Sequence, residues 1–320
     1  MTSSTLIAVM ATMLATATLC ATTVSAQQTT PTVPPVATFK SSVDLVRVSA
    51  VVRDRKGRFV RDLAAGDFEV LDAGEPGRIE EFRADDSRVS IALLFDVSGS
   101  MESGLGYARE AAEHILSWLN LQGDEVGVFT FDTNLKEVTP FTTGLQHLPR
   151  ELQSVTPFGA TSLHDAVALA AQRAATRDGL RRAVVVLTDG RDNASHLTPG
   201  EVSGIASSID VPVYIVGIVS AIDNPSSDIS TTTYERSALT GSLSDLAYWT
   251  GGRSLVVSSI ADRSLAARRI VDELRHQYLI AFKSSGTPGW HPLVVRARGR
   301  DLTVRARSGY FAGQSRPASN

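Results

Sequence analysis

A carboxylate and two hydroxyls stand at alternate positions in residues 96–101, which read DVSGSM. They belong to Asp96, Ser98 and Ser100, and the apolar residues 91–95 come directly before them. One loop thus presents hard oxygen atoms, which suit Mg²⁺ and do not suit zinc or copper. The spacing predicts a site for a hard divalent cation. The competing interpretation is that such residues cap the helix that follows.

The sequence around this loop fits two other kinds of site poorly, a serine-nucleophile active site and a dinucleotide-binding loop. Ser98 and Ser100 suggest a serine nucleophile, but the sequence lacks the G-x-S-x-G turn, and no histidine and acid can be placed beside them. Gly104 and Gly106 lack the third glycine of a dinucleotide-binding loop. The residues therefore indicate a binding site rather than a catalytic one.

Uninterrupted apolar runs alternate with amphipathic stretches from residue 90 onward. The runs are apolar enough to be covered on both faces, as parallel strands are. They are residues 91–95, 126–131, 183–187, 211–219 and 255–257. Between them, apolar residues at helical spacing begin at Ala108 and at Leu163, and a further helix is predicted over residues 261–276. This order predicts a doubly wound α/β domain, with a mostly parallel sheet between two layers of helices.

Two further loops of this domain carry oxygen-bearing side chains. Thr161 occurs in the string GATSL and Asp189 in the string LTDG. With the first loop they complete a five-residue set: Asp96, Ser98, Ser100, Thr161 and Asp189. The set resembles the metal-ion-dependent adhesion site of von Willebrand factor type A domains, and the resemblance covers residues 88–276. Residues 67–70 (DFEV) and 305–311 (RARSGYF) are similar to the flanks of secreted bacterial proteins related to this family.

The resemblance implies how these residues would bind a cation. The hydroxyls of Ser98, Ser100 and Thr161 would bind it directly, while Asp96 and Asp189 would often act through water. Mg²⁺ is the expected ion, with Mn²⁺ and Ca²⁺ as alternatives. An Asp or Glu of a protein partner would then complete the coordination. Such a site lies beyond the carboxyl ends of the strands, where the strand order reverses.

Three other features near the predicted site are candidates for a supporting role. Asp192 lies three residues after Asp189. It would either accept hydrogen bonds that support the ligands or stabilise a turn. His164 lies one turn into the helix after Thr161, either as a supporting residue or as a packed or capping histidine. Residues 219–240 form a connection longer than usual. It would either select the partner or be an insertion without a role.

The composition excludes several classes of protein. Of the 320 residues, 43% are hydrophobic and 20% are charged, which excludes a disordered, collagenous or multi-span membrane protein. The net charge of −3 gives no reason to expect a nucleic acid partner. Residues 253–320 are nevertheless basic, with 12 Lys and Arg against 4 Asp and Glu.

Arginines alternate along two predicted strands of this basic region, so each set points to one face. They are Arg296, Arg298 and Arg300 on one strand and Arg305 and Arg307 on the next. We expect a solvated sheet face. The alternatives are contact with the acidic remainder of the chain and contact with an external anionic surface.

Residues 1–26 contain no charged side chain and end in small residues before Gln27. This pattern predicts a cleaved secretion signal and a secreted or periplasmic product, with an uncleaved anchor as the alternative. The single cysteine, Cys20, lies in this segment, so the cleaved protein would have no thiol chemistry. No later apolar run approaches the ~20 residues that a membrane-spanning helix needs.

The rest of the chain divides into five predicted segments. In order they are a Pro- and Thr-rich linker, a small β module, the α/β domain, a C-terminal β segment and a tail: residues 27–41, 42–86, 88–276, 277–313 and 314–320. Neither β segment has enough strands for a core of its own. We therefore expect the two to form one small β-sandwich.

Together these features predict a secreted, non-enzymatic module that binds a protein through Mg²⁺ and an acidic residue of that partner. Two alternatives remain open: a metal-assisted hydrolase and a structural subunit of a surface assembly. The hydrolase is disfavoured because no general base, and no nucleophile with an orienting partner, can be named from the sequence.

Overall fold

The computed structural model of the chain describes residues 45–84, 88–177, 181–208, 210–219, 241–284, 286–299 and 301–312. The predicted signal (1–26), linker (27–41) and tail (314–320) lie outside these residues. So does nearly all of the long connection at 219–240. Within the described part of the chain, no helix has the length and hydrophobicity needed to cross a membrane.

The strands and helices of the described residues are numbered here in chain order. The strands are β1 (Leu45–Arg53), β2 (Phe68–Asp72), β3 (Glu75–Gly77), β4 (Ile79–Arg83), β5 (Val89–Asp96), β6 (Glu125–Phe131), β7 (Leu135–Thr143), β8 (Arg181–Thr188), β9 (Val213–Ile218), β10 (Arg253–Val257), β11 (Gln277–Lys283), β12 (Gly289–Ala297), β13 (Thr303–Arg305) and β14 (Gly309–Ala312). The helices are α1 (Leu105–Ser117), α2 (Arg150–Gln153), α3 (Leu163–Ala175), α4 (Pro199–Ser208), α5 (Gly241–Trp249) and α6 (Ile260–Arg275).

Six strands form a central sheet in the order β10, β9, β8, β5, β6 and β7. The first five are parallel, and β7 pairs antiparallel with β6 at one edge. The chain passes from β5 to β6 on one side and later returns to β8 on the other. The strand order therefore reverses beside β5, which puts the carboxyl end of β5 at the position where such sheets bind ligands.

Two apolar cores cover the faces of this sheet. Ile91, Leu93 and Phe95 of β5 pack with α1 and α6, whereas Ala92 and Leu94 pack with α3, α4 and α5. Successive side chains of a strand point to opposite faces, so a strand buried on both faces needs the uninterrupted apolar run seen in the sequence. The predicted fold class, a mostly parallel sheet with helices on both faces, is confirmed.

The strands at the two ends of the described chain form a separate β unit of two four-stranded sheets. One sheet has the order β13, β1, β11, β4 and the other has the order β14, β12, β2, β3. In both sheets the C-terminal strands pair antiparallel with N-terminal ones, β11 with β1 and β12 with β2. A shared core includes Val48, Phe68, Tyr278 and Val295. The predicted pairing of the two β segments is confirmed.

Buried ion pairs connect this β unit to the α/β domain. Glu273 of α6 is 1% exposed and accepts from Arg53 of β1 at 3.0 Å and from Arg305 of β13. Arg253, at the start of β10, lies 3.3 Å from the same carboxylate. Burial alone would raise the pKa of Glu273, but the three guanidinium groups outweigh it and hold that pKa below its usual value. Glu273 is therefore a charged anchor between α6 and strands of both parts.

The expectation of a solvated basic face is wrong for two of the arginines. Arg305 binds the buried Glu273, and Arg307 is itself buried, with its Nε 3.8 Å from a carboxylate oxygen of Asp210. Arg307 also donates to the backbone carbonyl of Arg47. Both side chains are therefore held inside the protein and are not available to an external anionic surface. Arg296 and Arg298 are exposed, and Arg300 lies outside the described residues.

A buried hydrogen-bonded network in the β unit surrounds the His291 ring. The His291 ring lies 2.7 Å from Asp72 Oδ1 through Nδ1 and 2.6 Å from the Thr287 carbonyl through Nε2. Tyr310 donates its hydroxyl to the other oxygen of Asp72 at 2.9 Å. Burial disfavours a charged ring, but the Thr287 carbonyl and the Asp72 carboxylate outweigh it and raise the pKa of His291 above its usual value.

The protonated His291 ring should stabilise the fold fully below the unfolded pKa of about 6.5, and this contribution should be lost as pH rises through the higher folded pKa. We expect the urea midpoint of the full chain to fall as pH rises above about 6.5. A His291→Gln variant should lose that component of the fall. Identical pH profiles for the two proteins would exclude this role.

Candidate metal centre

Asp96 is the last residue of β5 and is fully buried. Its Oδ1 accepts the backbone N–H of Ser98 at 3.0 Å, and its Oδ2 accepts the hydroxyl of Thr188 at 2.6 Å. Burial raises the pKa of Asp96, and the neighbouring Asp189 carboxylate adds to the rise, although hydrogen bonds from Ser98 and Thr188 oppose it. The carboxylate is therefore fixed in position and lies close to a second acidic group.

The hydroxyls of the first loop face each other rather than the helix that follows. Ser98 Oγ lies 3.2 Å from Ser100 Oγ. Ser98 stands at the N-cap position of the short 3-10 helix Gly99–Met101, yet its side chain makes no capping hydrogen bond. The capping interpretation therefore fails for Ser98, and its hydroxyl is directed toward that of Ser100.

Two backbone hydrogen bonds join the first loop to the loop before α3. Phe158 N–H donates to the Val97 carbonyl at 2.9 Å, and Gly99 N–H donates to the Gly159 carbonyl at 3.0 Å. Gly159 has φ +87°, a left-handed conformation that favours glycine. Thr161 follows two residues later, so this pairing brings its loop beside Ser98 and Ser100.

Asn193 connects Thr161 to the loop after β8. Its side-chain oxygen accepts the backbone N–H of Thr161 at 2.8 Å, and its own backbone N–H donates to the Thr161 carbonyl at 3.1 Å. The N–H of Ala194 donates to the same carbonyl at 3.0 Å. The Thr161 backbone is thus held on both sides by the loop that also carries Asp189.

Asp189 directly follows β8, and its side chain is 19% exposed. Its Oδ1 accepts the backbone N–H of Arg191 at 3.2 Å, and the Arg191 guanidinium lies 3.7 Å from its Oδ2. The preceding residue, Thr188, donates to Asp96 and accepts the N–H of Gly190 at 3.0 Å. Thr188 therefore connects the two predicted acidic ligands.

Asp192 and His164 lie against each other at the start of α3. Asp192 Oδ2 accepts the His164 N–H at 2.9 Å and the Ser195 hydroxyl at 2.6 Å, and it lies 3.0 Å from His164 Nδ1. Burial lowers the pKa of His164, although the nearby carboxylates of Asp192 and Asp165 oppose the shift. These contacts join the start of α3 to the loop after β8, and a supporting role for both residues stays a prediction.

The chemistry of the donor set fits a hard divalent cation. All five predicted ligands carry oxygen: two carboxylates, at Asp96 and Asp189, and three hydroxyls, at Ser98, Ser100 and Thr161. No group of three or more His, Cys, Asp or Glu that could hold a metal occurs in the described ranges. Oxygen donors of this kind are those that hard divalent cations prefer.

Asn193 and Thr188 were not among the predicted site residues, and Asn193 offers a direct test of the geometry. Replacing it by alanine should weaken Mg²⁺ binding about 10- to 100-fold, the usual effect of losing a residue that orients a ligand. Titration calorimetry would measure the affinity. Asn120→Ala is a matched control, because Asn120 lies before β6, at the amino ends of the parallel strands and away from the predicted site. Among the described contacts, its side chain accepts only the N–H of Gln122. Equal Mg²⁺ affinity in wild type and Asn193→Ala would contradict this role.

Comparison with known proteins gives a family match at this site. Residues 91–191 match the family model described as von Willebrand factor type A domain. The matched segment runs from β5 to just beyond Asp189 and so includes all five predicted ligands.

A curated relative and two solved structures are similar to parts of the chain. An uncharacterized protein of Borreliella burgdorferi is 24% identical over 141 residues, which is 41% of this chain and 41% of that relative, so the match spans less than half of the relative's length. An aerotolerance-related membrane protein from Bacteroides fragilis, with multiple mutations to serine, is 20% identical over 58% of this chain and 98% of its own, with a TM-score of 0.46. A von Willebrand factor type A structure from Catenulispora acidiphila is 14% identical over 86% of this chain and 76% of its own, with a TM-score of 0.46.

Proposed function

Because the chain contains a domain of the von Willebrand factor type A family, we propose that it is a metal-ion-dependent protein-binding module that acts outside the cytoplasm. One observation carries the proposal. Three loops, after β5, before α3 and after β8, are tied together by hydrogen bonds through Gly99, Asn193 and Thr188. These loops carry the two carboxylates and three hydroxyls of the predicted set at the carboxyl ends of the strands, where the strand order reverses.

The predicted ligands would have different roles in binding a cation. The carboxyl group of Asp96 is fixed in position, because both of its oxygens accept hydrogen bonds. Ser98, Ser100 and Thr161 supply neutral oxygens, so the site adds little negative charge beyond its two aspartates. Mg²⁺, when bound, would offer a coordination position to an external carboxylate. The paucity of charge at the site favours a partner that brings its own Asp or Glu.

We also propose that the chain is not an enzyme. A serine nucleophile needs a base within hydrogen-bond reach to take its proton. Among the described contacts, the hydroxyl of Ser98 faces that of Ser100, and His164 faces Asp192. This arrangement supports binding rather than hydrolysis.

Peptide selection tests the proposed function. A random peptide library would be panned on the immobilised full chain in Mg²⁺ and eluted with EDTA. We expect the enriched peptides to contain Asp or Glu and to lose binding when that residue is changed to Asn or Gln. An Asp96→Asn protein serves as the control and should bind none of them. Enrichment that EDTA does not reverse, or that needs no carboxylate, would refute the proposal.

A further inference from the structure

One large apolar side chain stands exposed beside the predicted metal centre. Phe158 is 81% exposed, more than any other large hydrophobic residue in the described ranges. Isolated exposed apolar residues are common and need no explanation by themselves. The position of Phe158 and the way its loop is held are what distinguish it.

The backbone at Phe158 is fixed to the first ligand loop. Its N–H donates to the Val97 carbonyl at 2.9 Å, and the carbonyl of the next residue, Gly159, accepts from Gly99. The ring therefore projects from a segment that is hydrogen-bonded to residues 97–99, the part of the first ligand loop that contains Ser98. The backbone of such an ordered loop loses little conformational freedom when a partner binds to it.

A positive charge lies on the loop at the other end of the same segment. Residues 158–161 run from the first ligand loop to the loop after β8, where Thr161 pairs with Asn193 and Ala194. Arg191 precedes that pairing by two residues, and its side chain is 75% exposed. Its guanidinium lies 3.7 Å from Asp189, so it is directed toward the predicted metal centre. The loops around the predicted metal centre thus present an apolar ring, Phe158, before α3 and a cation, Arg191, after β8.

We propose that the partner segment presents its acidic residue next to an apolar side chain, which packs on Phe158 while Arg191 attracts the acidic group. This inference rests on the proposed function and specifies the partner for the same site. It is carried by the exposed ring on a fixed loop and by the charge complementarity between Arg191 and a carboxylate. Phenylalanine and arginine side chains are both enriched in protein interfaces.

The test uses the peptides selected in Mg²⁺ and measures their affinity for the full chain by fluorescence polarisation. Phe158→Ser should weaken binding about tenfold or more, with unchanged dependence on salt, because the lost contact is apolar. Arg191→Gln should weaken binding and also reduce its salt dependence, because rim charges act through screened attraction. Calorimetry should show that Phe158→Ser binds Mg²⁺ as wild type does.

Tyr248→Ser is the matched control for removing an exposed aromatic ring. Tyr248 is 65% exposed in the last turn of α5, which leads into the amino end of β10 and so lies away from the predicted metal centre. Its replacement should leave peptide affinity unchanged. Mg²⁺-dependent peptides that lack an apolar neighbour, or that bind Phe158→Ser as tightly as wild type, would overturn this inference and leave the proposed function standing. If no selected peptide depends on both Mg²⁺ and a carboxylate, the proposed function fails and this inference fails with it.

Discussion

Replacing Glu273 by glutamine should lower the free energy of unfolding by about 3 to 5 kcal/mol, the usual cost of removing one partner from a buried ion pair. Glutamine keeps the size of the side chain but not its charge. Arg53, Arg253 and Arg305 would then converge on a neutral group in an interior that hydrates them poorly. The lost ion pairs are those that join α6 to β10 and to the β unit, so this junction would be destabilised.

Urea unfolding of wild type and Glu273→Gln would measure this effect. Glu137→Gln is a suitable control, because Glu137 pairs with Arg173 at the surface at 2.7 Å. Exposed pairs contribute about 0 to 1 kcal/mol, so the control should unfold close to wild type. If Glu273→Gln also unfolds like wild type, the buried pairs do not stabilise the junction.

Changing Asp96 to asparagine should reduce Mg²⁺ affinity at least about 100-fold. Residues that merely orient a ligand already contribute up to that factor, and Asp96 is itself one of only two anionic groups in the set. Asparagine fits the same space, and its oxygen can still accept from Ser98 N–H. Loss of binding would therefore report the loss of charge rather than the loss of the fold.

Titration calorimetry with Mg²⁺ would give both affinities, and urea unfolding would verify that the variant is folded. Asp132→Asn is the matched control, because the Asp132 carboxylate bonds only to Thr133 and Asn134 of its own turn among the described contacts. We expect the control to bind Mg²⁺ as wild type does. Equal binding by Asp96→Asn would remove Asp96 from the site.

The parallel strands of the central sheet could be predicted because burial on both faces leaves an uninterrupted apolar run in the sequence. The edge strand β7 could not be predicted in this way. Its residues are all half-buried or exposed, without regular alternation, and include Pro140, which is tolerated at a sheet edge. Without a continuous apolar run, nothing local distinguishes such a strand from a loop.

Three of the five predicted ligands, Asp96, Ser98 and Ser100, could be proposed from their spacing after a strand. Thr161 and Asp189 were added by the resemblance to a family, and both also lie in loops at the carboxyl ends of the strands. The residues that hold the loops together were harder to find. Asn193 acts on the backbone of Thr161, 32 positions away, and that pairing leaves no pattern in a single sequence. The surroundings of Arg305 and Arg307 could not be predicted either. Their alternation indicates that they share a face, but it does not indicate which part of the protein covers that face.

The location of a bound ion tests the central claim most directly. Crystals of the full chain grown with Mn²⁺ would reveal the ion by its anomalous scattering. The account predicts a peak enclosed by the oxygens of the five ligands, Asp96, Ser98, Ser100, Thr161 and Asp189, and its absence from crystals of Asp96→Asn. A fully occupied Mn²⁺ site elsewhere, with no peak among these oxygens, would contradict the account.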